Sequence, residues 1–395
     1  MLSPRRLIHG TLSEASKRTA PKMRKLLKLL GLNLLVFLCA FFAVMFLVSL
    51  GGDLVKVTKT TLRSGDKKDR DELVVFEDKD HAERVFLDNR KAQEGYKPYI
   101  GWRRLPLESE TVNIGPDGLR VHKVGKDAAA DSPSVAFFGG STVWGTGVDD
   151  DSTLPATFDE ITSGLRVLNY GEAGWTSRQS LAQVVNLINR DEMPDTVVFY
   201  SGVNDVTILC NAYYGEDLNT HHEAPKVARM VAVNQSPSYL YRNFAAPALD
   251  TFERVTGRGK FARDFACDKD PERAAAVART LFRNWEMAHS LVTTFGGKFF
   301  AFLQPVASVG KPNISYLDLD PDQMAQYPAV YAELRKLIDE SGADWVWDIS
   351  DAFDGETPLY MDSAHVVREG NARAASRIRD RILPALSSES ETTAQ

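Results

Sequence analysis

An α/β fold built on a five-stranded parallel sheet is the architecture this chain predicts, and three observations predict it. Continuously apolar runs recur at 134–138, 166–169, 196–200, 299–303 and 344–349, and unbroken rather than alternating runs mark strands covered on both faces. Segments of helical period separate these runs, which places helices on the sheet's two faces. Small and polar residues, Gly139, Gly140, Ser141, Gly174 and Asn204, stand just after the first three runs, at the carboxyl ends where such sheets carry their ligand sites.

Each element has its own warrant. The first strand ends in Gly139-Gly140, and 151–161 after it has the mixed spacing of a helix. The second strand precedes a helix at 178–189, where Leu181, Val184, Val185 and Ile188 share one face. After the third strand, 206–266 shows no strong period and reads as an insertion that walls or lids a cleft. A helix over 271–294 sets Ala274, Val277, Leu281, Trp285, Ala288 and Val292 on one stripe and leads into the fourth strand. A helix around 330–341 precedes the fifth strand, and a last helix follows His365 within a domain that runs over 134–386. The polar end, 387–395, is expected to be disordered.

Upstream, 96–133 is aromatic and Pro-containing, with a Gly-Pro-Asp-Gly turn signal at 115–118, and reads as a lead-in that packs on the domain over 134–386. Residues 51–95 are rich in charge and read as a stalk. Before them, Leu29 to Leu50 is an uncharged run of 22 residues, long enough to span a bilayer. A cleaved signal peptide is the rival, but its apolar region is usually only ~7–15 residues. Residues 1–28 carry eight Lys or Arg against one acid, Glu14, so this basic flank belongs in the cytoplasm and everything after Gly51 outside it.

Charge excludes one class of partner. With a net −6 overall and +7 in the basic tail, the body carries about −13, a poor match for nucleic-acid phosphates. Three cysteines are present, and Cys39 sits inside the apolar run. An oxidising compartment would permit Cys210 and Cys267 to pair; two separate buried thiols are the alternative.

The chemistry-bearing residues fall in four segments: Gly-Gly-Ser-Thr at 139–142, Asn-Tyr-Gly-Glu-Ala-Gly at 169–174, Gly-Val-Asn-Asp at 202–205 and Asp-Ser-Ala-His at 362–365. A serine hydroxyl needs a base to attack an ester at neutral pH, and His365, oriented by Asp362 three residues earlier, can supply it to Ser141. Backbone N–H groups of Ser141 and Gly174 and the amide of Asn204 can donate to an oxyanion. A second Asp-x-x-His, Asp78 to His81, lies in the charged stalk without strand context. His221 and His222 have no carboxylate or Cys at metal-ligand spacing, and Glu286 with His289 reads as a helical ion pair. No zinc motif, phosphate loop, dinucleotide fingerprint or Gly-x-Ser-x-Gly elbow is present, and neither a metal nor a cofactor is called for.

In this order the segments resemble blocks I, II, III and V of the SGNH, or GDSL-like, hydrolase superfamily over about 134–386. Ser141, Gly174, Asn204 and His365 match its namesake residues, with Asp362 the usual triad partner. The resemblance implies a flavodoxin-like three-layer α/β/α sandwich and metal-free ester chemistry through an acyl-serine. Gly-Gly-Ser-Thr in block I, with the lead-in Gly-Trp-Arg and Asn-Ile-Gly-Pro-Asp-Gly-Leu-Arg, resembles membrane-anchored bacterial members found with cell-surface polysaccharide genes. The expectation is a single-pass inner-membrane esterase, its domain periplasmic or extracellular, that removes acetyl or other small acyl groups from glycans. An O-acyltransferase acting on an extracytoplasmic polysaccharide, a lipase or thioesterase, and a noncatalytic glycan-assembly protein are the alternatives.

Overall fold

Side chains that alternate along each strand sort the apolar runs onto two faces. Val135, Phe137, Val198, Tyr200, Phe300 and Phe302 join one buried cluster, and Ala136, Phe138, Val197, Phe199, Phe299 and Ala301 join another, as a period of two requires. The structure, a computed structural model, describes residues 25, 27–41, 44, 73–123, 128–129, 131–238, 241–249 and 264–387.

Two strands precede the sheet: β1 (Glu94–Lys97) and β2 (Gly101–Arg104) form an antiparallel hairpin. The sheet consists of β3 (Ser134–Gly139), β4 (Arg166–Asn169), β5 (Thr196–Ser201), β6 (Lys298–Leu303) and, after a two-residue β7 (Pro312–Asn313), β8 (Val346–Asp348). Its order is β4-β3-β5-β6-β8, with every pair parallel. A final strand, β9 (Gly355–Pro358), pairs with β7 alone. The strand order therefore reverses beside β3, and ligand sites in open α/β sheets lie at that reversal, beyond the carboxyl ends.

The helices are α1 (Lys79–Lys91), α2 (Ser141–Trp144), α3 (Leu154–Glu160), α4 (Ser177–Ile188), α5 (Val203–Leu209), α6 (Ala224–Gln235), α7 (Pro271–Thr294), α8 (Pro321–Ser341) and α9 (Arg368–Ser387). Leu181 of α4, Val277, Leu281 and Trp285 of α7, and Tyr327 and Val330 of α8 pack on one face of the sheet. Phe158 of α3 and Ala375, Ile378 and Ile382 of α9 pack on the other. The result is the three-layer α/β/α sandwich. The long helices start where their caps dictate: Asp270 and Asp320 each accept two backbone N–H groups, and each is followed by Pro.

Several expectations are corrected. Residues 79–91, read as part of a stalk, form α1 on the folded body, with Ala82, Val85 and Asp88 buried. Its charged sequence hid this because Asp88 is buried with polar partners, the Thr111 N–H and hydroxyl and Lys91. Asp78 is the cap of α1, accepting from the His81 N–H, while the His81 ring meets Asp149 at 2.8 Å. Residues 206–209, read as the start of the insertion, belong to α5, whose Val206, Ile208 and Leu209 enter the core. The insertion begins at Asn211, which pairs with Phe265 beside the Cys210–Cys267 disulfide.

The expected membrane span, 29–50, falls partly outside the described residues. Residues 27–41 are helical with Leu29, Leu30 and Phe37 exposed. No helix among the described residues is long and apolar enough to cross a membrane. Residues 51–72 of the expected stalk and 388–395 of the expected tail also lie outside the described residues, as does most of the basic 1–28. Described residues of 1–66 and 229–260 make up one unit, and those of 67–228 and 261–395 another; the four chemistry-bearing segments all belong to the latter.

Candidate active site

Gly139 and Gly140 bring the chain off β3 into a tight turn that no side chain would permit. A Cβ on Gly139 would lie 2.2 Å from the Tyr200 carbonyl oxygen, and one on Gly140 would lie 2.3 Å from Nδ2 of Asn204. Ser141 is the first residue of α2, so its N–H lacks an acceptor within the helix.

Five contacts complete the arrangement around Ser141. Its Oγ lies 2.7 Å from Nε2 of His365, and Nδ1 of that ring lies 2.9 Å from both carboxylate oxygens of Asp362. Oδ1 of Asp362 also accepts the N–H groups of Ala364 and His365, at 3.0 and 2.9 Å. The turn 362–365 thus fixes the carboxylate through its own backbone. With Asp362 accepting, the proton sits on Nδ1, and Nε2 is left as an acceptor for the Ser141 hydroxyl.

The loop after β4 lies directly on α2. Asn169 donates to the Val143 carbonyl at 2.9 Å, the Glu172 N–H donates to Gly139, and a Cβ on Gly171 would lie 2.4 Å from the Trp144 nitrogen. Gly174 has φ +76°, in the left-handed region. Asn204, early in α5, donates one amide hydrogen to the Trp175 carbonyl at 2.9 Å. A primary amide has two such hydrogens, so the bond sets the orientation of the amide, whose nitrogen lies close against Gly140. The structure brings Ser141, Gly174, Asn204, Asp362 and His365 to one edge of the sheet.

Residues that the sequence pattern did not single out hold this loop in place. Arg104 of β2 donates to Glu172 through its N–H at 2.7 Å and approaches it through Nε at 3.2 Å, and the Glu172 side chain is fully buried. Burial pushes the Glu172 carboxyl up, opposed by Arg103 and Arg104. Burial pulls the Arg103 guanidinium down, opposed by Glu172. Arg103 also donates to the Tyr170 carbonyl and lies over the Tyr170 and Trp175 rings. On the other side of α2, buried Arg120 donates to Asp150 and to the carbonyls of Trp144, Gly145 and Val148. Asp205, next to Asn204, is 1% exposed and accepts from the Ser177 N–H and hydroxyl; burial raises its carboxyl to about 6, against those hydrogen bonds. The clue to the clamp is the Gly-Trp-Arg-Arg run itself, two cations beside an aromatic in a short strand.

His221 and His222 lie at the site rather than in a remote loop. Trp102 packs edge-on against both rings, with centroids 5.4 and 4.6 Å away, and a Cβ on Gly174 would lie 2.3 Å from Cε1 of His222. Burial, then the His222 neighbour, pulls the His221 imidazole down, so His221 stays neutral at neutral pH. His289 stacks on Trp345 with ring centroids 4.7 Å apart, instead of the expected pairing with Glu286.

No family model matches the chain, and no curated protein matches it. Among solved structures, it is similar to a carbohydrate acetylesterase from Sinorhizobium meliloti, at 12% identity over 64% of this chain and 99% of that one, with a TM-score of 0.38. It is also similar to a member of the lipolytic G-D-S-L family from Veillonella parvula, at 13% identity, 64% and 97% coverage and a TM-score of 0.36. A third similar structure is a GDSL-like lipase from Bacteroides thetaiotaomicron, at 16% identity, 67% and 92% coverage and a TM-score of 0.34.

Proposed function

We propose that this chain is a serine ester hydrolase of the SGNH type, working through an acyl-serine intermediate. The observation that carries the reading is the continuous contact from Asp362 through His365 to the Ser141 hydroxyl, at 2.9 and 2.7 Å. Oγ of Ser141 attacks the ester carbonyl carbon as its proton passes to Nε2, and Asp362 stabilises the imidazolium. The oxyanion receives hydrogen bonds from the Ser141 and Gly174 N–H groups and from the free hydrogen of the Asn204 amide. Collapse expels the alcohol, which takes the proton from Nε2. Water, deprotonated by His365, then attacks the acyl-serine and releases the acid.

The proposed substrate is a small acyl ester, acetyl above all, on a glycan. Two things support it: the block I and lead-in resemblance to polysaccharide-associated members, and the His222 ring set against Gly174, which crowds the oxyanion side. A chromogenic acetyl ester turned over by the full chain and not by Ser141→Ala is the expected result; equal turnover by the variant would refute the reading. O-acyl transfer, in which a sugar hydroxyl takes the place of that water, is the alternative on the same residues. Incubation with an acyl donor and an oligosaccharide separates the two: acylated sugar indicates transfer, free acid alone hydrolysis.

The proposal includes a membrane tether at 29–50 with the catalytic unit outside the cytoplasm, supported by the uncharged 22-residue run behind a basic flank. Sedimentation of the full chain with membranes, and its digestion by protease added outside the cytoplasm, would agree. Recovery in the cytoplasmic fraction would contradict it.

A further inference from the structure

Trp102 belongs to β2, outside the four segments, and is 5% exposed. Its indole N–H donates to the Ala173 carbonyl at 3.1 Å. The Ala173 carbonyl and the Gly174 N–H are two ends of one peptide group, which is planar and trans, so the two bonds point in opposite directions. A donor that holds the oxygen on one side therefore sets the direction of the hydrogen on the other.

We propose that Trp102 is a positioning residue for the reaction: by holding the Ala173 carbonyl it aims and polarises the Gly174 N–H toward the oxyanion. This rests on the reading of Gly174 as an oxyanion donor. Neighbouring groups in the loop are restrained separately. The Ala173 N–H is held by Oε1 of Glu172 at 3.0 Å, Glu172 by Arg104, and the Trp175 carbonyl by Asn204. What those bonds leave open is rotation of the Ala173–Gly174 peptide about its flanking single bonds. Glycine on its C-terminal side makes that flip easy, since φ of either sign is accessible. A flipped peptide would present a carbonyl, not an N–H, to the developing negative charge. Trp102 opposes the flip, and its hydrogen bond also makes the N–H a better donor through cooperative polarisation.

A buried tryptophan needs some acceptor for its N–H, and packing against His221 and His222 gives the ring a structural use as well. Trp102→Phe in the full chain separates these roles, because it keeps an aromatic ring against the histidines and removes the donor. The proposal expects kcat on an acetyl ester to fall about tenfold, below the loss of ~10² to 10³ for deleting a whole oxyanion donor. KM should stay within about twofold and affinity for a boronic-acid mimic of the tetrahedral intermediate should fall with kcat. Replacing Trp102 by its benzothiophene isostere, which removes only the N–H, should reproduce the loss should the phenylalanine variant fold poorly. Parental kcat and boronate affinity in the isostere, with Ser141→Ala inactive, would overturn this inference alone. A fully active Ser141→Ala would instead overturn the serine mechanism on which it rests.

Discussion

Substituting Gly174 by Ala tests the proposed oxyanion site at a backbone position held in the left-handed region. With φ at +76°, an alanine there carries a left-handed penalty of roughly 1–2 kcal/mol. Its Cβ would also lie 2.3 Å from Cε1 and 2.5 Å from Nδ1 of His222, against ordinary contacts of 3.4–4 Å, so the ring or the loop must move by more than an ångström. If the loop moves, the Gly174 N–H leaves the oxyanion, a loss of ~10² to 10³ in kcat. The assay is steady-state hydrolysis of a chromogenic acetyl ester, with KM expected to change little. Adding His222→Ala removes the collision and leaves only the backbone strain, so the double variant should recover part of the lost rate. Parental kcat in Gly174→Ala would refute the assignment of its N–H as a donor.

Other perturbations have separate readouts. In Asp362→Asn, the Ala364 and His365 N–H groups would hold the amide oxygen and turn the NH₂ toward Nδ1, moving the ring proton to Nε2; kcat should fall by ~10⁴, and a loss below tenfold would count against the triad. The Cys210–Cys267 bridge spans 57 residues, worth about 4 kcal/mol in the chain-entropy account; denaturant unfolding with and without reductant should show it, and coincident curves would deny it. Asp205 titrates near 6 when folded, above its unfolded value. Its stabilising contribution is therefore complete below about pH 4 and lost as pH rises through 6, by about 3 kcal/mol. The unfolding free energy of Asp205→Asn should fall that much less than the parent's between pH 4 and 7.5, and parallel profiles would contradict the shift.

The sheet was legible in the sequence because its three central strands, β3, β5 and β6, are buried on both faces and read as unbroken apolar runs. The contact from Asp362 through His365 to Ser141 was legible because Asp362 and His365 share one turn and Ser141 follows a glycine pair. Other parts leave no such mark. Helix α1 buries Asp88 beside only two apolar residues, Ala82 and Val85, so its sequence reads as solvated charge. Arg103 and Arg120 are buried cations and Arg104 a half-buried one, and cations read as surface until their partners, Tyr170, Asp150 and Glu172, are placed beside them. The bond from Trp102 to Ala173 joins residues 71 apart, and the contact between His222 and Gly174 likewise depends on tertiary placement with no periodicity to announce it.

In the proposed mechanism Ser141 is a nucleophile activated by His365. Treatment of the full chain with a fluorophosphonate, followed by mass mapping of the adduct, tests it most directly. One adduct is expected, on Ser141, absent in Ser141→Ala and formed at least ~10²-fold more slowly in His365→Ala. An adduct on another residue, or labelling of His365→Ala at the parental rate, would contradict it.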